Sequence, residues 1–352
     1  MKQNTKRRLF WLGLVISAVF LYLAFKEIKF SELWNTLRQT RVIWLLPGLA
    51  IYFIGMLVRS WRWRYLLKPL KSVSIRTLFP IINIGYMGNN VFPLRMGEVL
   101  RAVVLKRRED VSISGSLATI VVERIFDAVV VIGFVLLNLG QLVSLPGGGS
   151  LAKLGSLATW AAAIFLAGLV VFILTAVFPK PAQRILHTII GKLLPEKWRK
   201  PVTQFADRFL DGLMSLRSPA NAFMILFTSI LIWLLETGLY WSVNQALGLD
   251  LNFQQLMLLN GVVNLVLLIP AAPGGLGTFD AAGRAMLEAY TISSEIALGY
   301  TLVLRIALWV PVTLLGAIYF LREGLKWTTD VNEMQAQAET SHIKNPKDDL
   351  NP

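Results

Sequence analysis

Charged side chains inside apolar sequence are the first candidates for chemistry, because an ion in a low-dielectric interior needs a partner or a task. One such group is Asn89-Asn90-Val91-Phe92-Pro93-Leu94-Arg95-Met96-Gly97-Glu98-Val99-Leu100-Arg101. Pro93 and Gly97 break or redirect a helix. Arg95, Glu98 and Arg101 recur every three residues and so share a helical face. Two arginines around one carboxylate leave a net positive site that can grip a phosphate with two-pronged hydrogen bonds. The same trio would serve equally as an ion-pair network anchoring a hairpin. A second group is Glu123-Arg124-Ile125-Phe126-Asp127. Glu123 and Asp127 share a helical face, and Arg124 is expected about 100° away from them. A carboxylate pair facing a cavity suits a cationic head group or a proton-coupling step. Pairing with Arg95, Arg101 or Arg305, to hold helices together, is the structural alternative.

The third group is Pro270-Ala271-Ala272-Pro273-Gly274-Gly275-Leu276-Gly277-Thr278-Phe279-Asp280. Its glycines permit close backbone approach, and the helix expected to follow offers free N–H groups and a positive dipole end to an anion. It is not a nucleotide-binding P-loop, since no Gly-Lys-Ser/Thr follows; at the least, it turns the chain. Glu236 and Arg305 stand alone in apolar runs. Arg305 and Glu123 occupy corresponding places in their runs, which makes them candidates to meet, in a site or as a plain structural pair. Arg59-Ser60-Trp61-Arg62-Trp63-Arg64-Tyr65 is basic and aromatic. Such interleaving can stack on single-stranded nucleic acid, but directly after an apolar run it reads as an interfacial anchor.

Composition narrows the chemistry further. The chain has 352 residues, 55% hydrophobic and 16% charged, with a net charge of +14. Soluble domains run at about 25% charged. The lysines and arginines sit between apolar blocks, so anionic lipid head groups, rather than nucleic acid, are the expected partners. There is no cysteine and only His187 and His342, which argues against disulfides, cofactors held by thiolate and His-based metal sites.

The elements that must position these residues are membrane helices. Apolar runs of about bilayer length place spans near 9–25, 42–58, 116–138, 159–178, 221–241 and 297–320. The first follows a basic N-terminus without a small-residue cleavage site and reads as a retained signal anchor. Residues 1–8 and 26–41 each carry four Lys/Arg and leave its orientation open. Residues 59–76, 93–112 and 179–218 carry six, five and eight, whereas 139–158 has only Lys153 and 242–252 has none. The basic loops are therefore expected in the cytoplasm, with both termini inside. On that count residues 78–92, interrupted by Asn83, Gly85, Gly88, Asn89 and Asn90, enter and leave from the cytoplasmic side, forming a re-entrant hairpin near 78–101. Residues 253–290, broken by the Pro/Gly run, form a second hairpin from the outer side. The alternative is one ordinary span for each. Helix, hairpin, helix then occurs twice in opposite orientation, an inverted repeat of the kind that builds transporter sites where broken helices meet. The expected fold is thus an all-α integral membrane protein with about six spanning helices and two oppositely oriented re-entrant hairpins. It comprises one membrane domain, 1–325, with an amphipathic cytoplasmic layer over 179–218 and a disordered polar tail over 326–352.

Taken together, Pro-x-Arg-x-Gly-Glu-x-x-Arg at 93–101, Glu-Arg-x-x-Asp at 123–127 and Pro-x-x-Pro-Gly-Gly-x-Gly at 270–277 resemble the transmembrane, flippase-like region of the lysylphosphatidylglycerol synthase family. That region is the membrane half of the multiple peptide resistance factors. The resemblance runs over roughly residues 8–325 and implies lipid translocation. The soluble aminoacyl-transferring domain of the two-part factors is not expected in the roughly 27 residues after 325, too few to bury a core. On this reading Arg95, Arg101 and the backbone of Gly274, Gly275, Gly277 and Thr278 hold phosphate. Glu98, Glu123 and Asp127 balance it or take a cationic head group, and Arg124, Asp280, Glu236 and Arg305 complete the site. The protein is then a transporter of a phospholipid or a related anionic or aminoacylated lipid in the cytoplasmic membrane, without catalytic residues, and able to form homo-oligomers. The competing readings are a membrane scaffold or partner for a lipid-modifying or glycosyl-transferring enzyme, and an intramembrane enzyme using carboxylates alone.

Overall fold

Helix starts are marked by residues whose side chains accept from orphan backbone N–H groups. Ser74 accepts from Thr77 N at 3.2 Å, and Ser112 from Gly115 N at 3.2 Å. Asn252 and Gln255 form a reciprocal capping box, with bonds of 2.9 and 2.8 Å. The computed structural model describes residues 30–92, 96–138, 140–141, 174, 178–193, scattered positions between 195 and 216, and 218–267, 275 and 277–323. Among these, every extended element is a helix. They are α1 (Phe30–Gln39), α2 (Leu45–Leu67), α3 (Ile75–Val91), α4 (Met96–Glu109), α5 (Ile113–Leu137), α6 (Pro179–Leu193), α7 (Pro219–Ala246), α8 (Phe253–Val266), α9 (Thr278–Ala289) and α10 (Ser294–Arg322).

Three helical stretches are long and apolar enough to cross a bilayer: Val42–Leu67, Pro219–Ala246 and Ser294–Arg322. Helix α5 has the length, at 25 residues, but carries Glu123, Arg124 and Asp127 in its middle. These four correspond to the spans expected near 42–58, 221–241, 297–320 and 116–138. The spans expected near 9–25 and 159–178 fall outside the described residues, apart from 174 and 178, as does the tail over 326–352. Two boundaries differ from the sequence reading. Helix α2 continues to Leu67, so Arg59 and Arg62 belong to the helix and are buried, not to a loop. Residues 75–91 form one unbroken helix despite Pro80 and the Asn/Gly positions. The first break therefore falls after Val91, not within 78–92, and the returning arm α4 runs on to Glu109. The asparagines do not break α3 because Asn83 turns its amide back to Phe79 O at 2.8 Å, while Gly85 and Gly88 admit α4 at backbone contact. A Cβ on Gly88 would lie 2.7 Å from Gly97 Cα.

The packing falls into two equivalent sets. Helix α2 runs antiparallel along α7: Gly48 meets Leu239 and Ser242, Gly238 meets Ile51, and Gly55 meets Leu235. Small residues at such contacts let helix backbones approach closely. Helix α3 runs antiparallel along α10, with Asn90 Nδ2 donating to Thr313 Oγ1 at 2.9 Å and Phe79 edge-on to Tyr319. Helix α8 runs antiparallel along α5, with Gly261 against Val131 and Val135 and Gln141 Nε2 donating to Gln254 Oε1 at 3.1 Å. Exchanging α2 with α7, α3 with α8, α4 with α9 and α5 with α10 maps these contacts onto one another. The arms α3 and α4 begin and end at one end of the bundle, where Lys71 Nζ donates to Glu109 O at 2.7 Å and Arg108 pairs with Glu323 at 2.9 Å. The arms α8 and α9 begin and end at the other, where Arg41 N donates to Ala246 O at 2.8 Å and α1 lays Leu33 on Leu298 of α10. Most buried apolar side chains form one core that includes Trp63, Ile81, Tyr240, Leu259 and Tyr300. Leu210, Leu213 and Leu216 reach it from beyond α6.

Candidate functional site

Helical periodicity assembles the site. Arg59 and Arg62 are three apart on α2, on the face turned into the bundle, and Arg64 points outward. Glu123 and Asp127 are four apart on α5, and Glu236 is buried on α7. Arg62 is fully buried. Its Nη1 donates to Asp127 Oδ1 at 2.5 Å and to Ser229 Oγ at 2.8 Å, and its Nη2 lies 3.1 Å from Glu123 Oε1. Arg101, from α4, takes Glu123 in a two-pronged pair of 3.2 and 2.9 Å. Its guanidinium lies 3.7 Å from the ring centroid of Trp63, whose indole N–H is held by Thr119 Oγ1 at 3.0 Å. Trp233 Nε1 donates to Asp127 at 3.1 Å, and Arg59 closes the inner edge on Glu236 at 2.6 Å.

Arg124 is the outermost cation. Its Nη2 lies 2.7 Å from Glu123 and 3.4 Å from Asp127, while its Nε is 3.9 Å from Glu98. Its side chain is 34% exposed and that of Glu98 26%, against 4% for Arg101 and 1% for Glu123. Four arginines (59, 62, 101, 124) thus face four carboxylates (98, 123, 127, 236), and their formal charges cancel. A cleft opens here between α3, α4 and α5, lined among others by Asn89, Glu98, Arg101 and Arg124. Its free space, about 10 Å3, is that of roughly one water molecule.

A second, smaller cluster sits where α9 meets α10. Asp280 and Arg305 form a buried ion pair. Gly277, at φ +81°, turns its N–H onto Asp280 Oδ2 at 3.2 Å. Arg305 Nη2 reaches Gly275 O at 3.4 Å, and its guanidinium lies 5.4 and 5.3 Å from the Phe279 and Trp309 ring centroids.

Several sequence expectations change in three dimensions. Glu98 and Arg101 do not pair with each other: Arg101 goes to Glu123, and Glu98 faces Arg124. Arg124 is not turned away, because its long side chain folds back along the helix onto both carboxylates. Glu236 is not alone, since Arg59 meets it. Arg305 does not meet Glu123; each pairs with the hairpin arm beside it. The N–H of Gly277, expected to be free for an anion, is taken by Asp280. Thr278 Oγ1 is likewise engaged, donating to Gly275 O at 2.9 Å. The expected single site is two clusters, and no hydrogen bond or ion pair among the described residues joins them. Arg95 and Gly274 lie outside the described residues. The sequence reading missed Arg59 and Arg62, although their three-residue spacing in line with Gly55 marked an inward face. Among the described residues no three His, Cys, Asp or Glu side chains come together as a metal site.

A bundle with buried ion pairs at its helix-pair breaks and three bilayer-length apolar helices is the build of an integral membrane protein. The chain belongs to the family described as the lysylphosphatidylglycerol synthase TM region, whose model matches residues 10–316. It is 24% identical to a protein named glycosyltransferase AglD from Haloferax volcanii, over 96% of this chain and 58% of that protein's length. It is 26% identical to a UPF0104 membrane protein from Methanothermobacter thermautotrophicus, over 78% of this chain and 83% of the relative, and 22% identical to one from Methanocaldococcus jannaschii, over 88% and 93%.

Proposed function

We propose that the protein moves a phospholipid across the cytoplasmic membrane without altering its covalent structure. The supporting observation is the charge cluster at the tip of the α3–α4 pair. Six of its eight charged groups are buried, each costing several kcal/mol to desolvate, and ionisable side chains within membrane segments mark substrate and ion pathways. On this reading the α3–α4 and α8–α9 pairs are re-entrant hairpins from opposite faces, related by an inverted repeat; the antiparallel packing of the equivalent helices α2 and α7 supports this. The end that carries Lys68, Lys71, Arg76, Lys106, Arg107, Arg108 and Arg322 is cytoplasmic. Arg101 and Arg124 hold the lipid phosphate at the cleft. With room for about one water in the present closed arrangement, passage of a head group requires α4 to part from α5, and the Glu98–Arg124 contact is the weakest link between them.

Purified protein in vesicles should accelerate transbilayer movement of a phospholipid and leave its mass unchanged. Unaltered movement of every phospholipid tested would overturn the reading. A second reading, a membrane module serving a glycosyl-transferring enzyme, is favoured by the match of nearly the whole chain to part of AglD. Co-purification of such an enzyme, with no lipid movement, would support it.

A further inference from the structure

We infer that the cleft between α3, α4 and α5 selects a zwitterionic head group, a phosphodiester with a primary ammonium two carbons away, over a purely anionic one. This rests on the proposed translocation and narrows its cargo. Among the described residues the cluster behind the cleft is neutral: Arg62 and Arg101 are committed to Glu123 and Asp127, and no surplus positive charge among them awaits a lone anion. The residues that line the cleft hold unused groups of both kinds, buried in the closed arrangement. Arg101, 4% exposed, and Arg124 each keep an Nε–H without a hydrogen-bond partner, and Asn89 keeps a buried Oδ1 without a donor. Among the described residues Glu98 is held only by the 3.9 Å approach of Arg124. A phosphate can take the two Nε–H groups while an ammonium replaces Arg124 at Glu98 and donates to Asn89 Oδ1. The exchange leaves every ion paired, whereas an anion alone would strand Glu98 without its cation. Arg124 Nε and Glu98 lie 3.9 Å apart, so a phosphate on the one and an ammonium on the other must be near neighbours, as in phosphoethanolamine. An aminoacylated glycerol head group carries its ammonium farther from the phosphate, and a trimethylammonium has no N–H to give.

The test uses vesicles containing acyl-chain-labelled phosphatidylethanolamine, phosphatidylcholine, phosphatidylglycerol or lysylphosphatidylglycerol. Wild-type protein should move or bind phosphatidylethanolamine roughly tenfold or more better than phosphatidylglycerol, the effect of one charge-assisted contact. Glu98→Gln should lower that ratio to near one, with thermal unfolding unchanged. Equal handling of the ethanolamine and glycerol lipids by wild type, or a better result with the lysyl lipid, would overturn the head-group assignment. If no lipid moves at all, translocation fails. Lipid retention by wild-type protein in native mass spectrometry then still decides the head group, with no variant required.

Discussion

The two hairpin-to-helix contacts are equivalent in topology and opposite in charge. In the first, the returning arm α4 brings the cation, Arg101, and the helix α5 the anion, Glu123. In the second, the arm α9 brings the anion, Asp280, and the helix α10 the cation, Arg305. Their surroundings differ more. Glu123 is shared by Arg62, Arg101 and Arg124, so its charges tie α2, α4 and α5 together, and Asp127 extends the network to α7. Asp280 serves one arginine and its own helix start. The first contact is thus a hub beside an accessible cleft, where moving the hairpin rearranges four helices. The second is a local clasp backed by two aromatic rings.

This contrast is testable. The largest effect is expected from Arg62→Ala, which takes from Asp127 its nearest cation, from Glu123 one of its three, and leaves the space of a fully buried side chain at the hub. Breaking a buried ion pair from one side costs about 3–5 kcal/mol, so the variant should lose most folded protein in detergent thermal unfolding. Gly97→Ala comes next. Its Cβ would overlap Gly85 O and crowd Asn89, and overpacking of this kind costs roughly 1–3 kcal/mol. At the clasp, Asp280→Asn keeps the shape and leaves Arg305 its carbonyl and its rings. Arg305 then loses its carboxylate, a one-sided break of up to about 3–5 kcal/mol that Gly275 O and the two rings offset in part, and the effect should stay below that of Arg62→Ala, which also empties a fully buried volume. If Asp280→Asn were the more damaging, the two regions would have been ranked wrongly.

Smaller effects sharpen the comparison. Arg124→Gln removes a partly exposed charge, so stability should change by no more than about 1 kcal/mol, yet lipid movement should fall strongly. Retained movement would remove Arg124 from the cargo path. Arg108→Ala, at the partly exposed pair with Glu323, should cost about 1 kcal/mol, with a difference from wild type that shrinks in high salt.

The candidate site was legible in part. Glu123, Arg124 and Asp127 stood out because ions inside an apolar run are improbable without a role. Arg62, the residue on which the hub turns, did not: three arginines among aromatics after an apolar run look like an anchor in the headgroup layer. Only the continuation of α2 to Leu67 carries two of them back inside. Pairing was less legible still. A helical face says which side chains share a direction, not which neighbouring helix that direction meets, so Glu98 was matched to Arg101 on its own helix instead of to Arg124 on the next.

Local chemistry in the sequence is enough for a membrane protein whose described elements are helices, for four of those helices, for an interruption between Val266 and Thr278, and for the charged positions in α4, α5, α9 and α10. Those follow from apolar run length, from backbone limits at Pro and Gly, and from the cost of an unpaired ion in lipid. Helix packing settles the rest: α3 is unbroken, the charges separate into two clusters, and each cation serves the carboxylates it does. Long arginine side chains reach across helix interfaces, and the register of those interfaces is set by where glycines let backbones touch, at Gly48 and Ser242, Gly88 and Gly97, and Gly316 and Asn83. A close approach of that kind joins residues far apart in the chain, and no spacing along one segment encodes it.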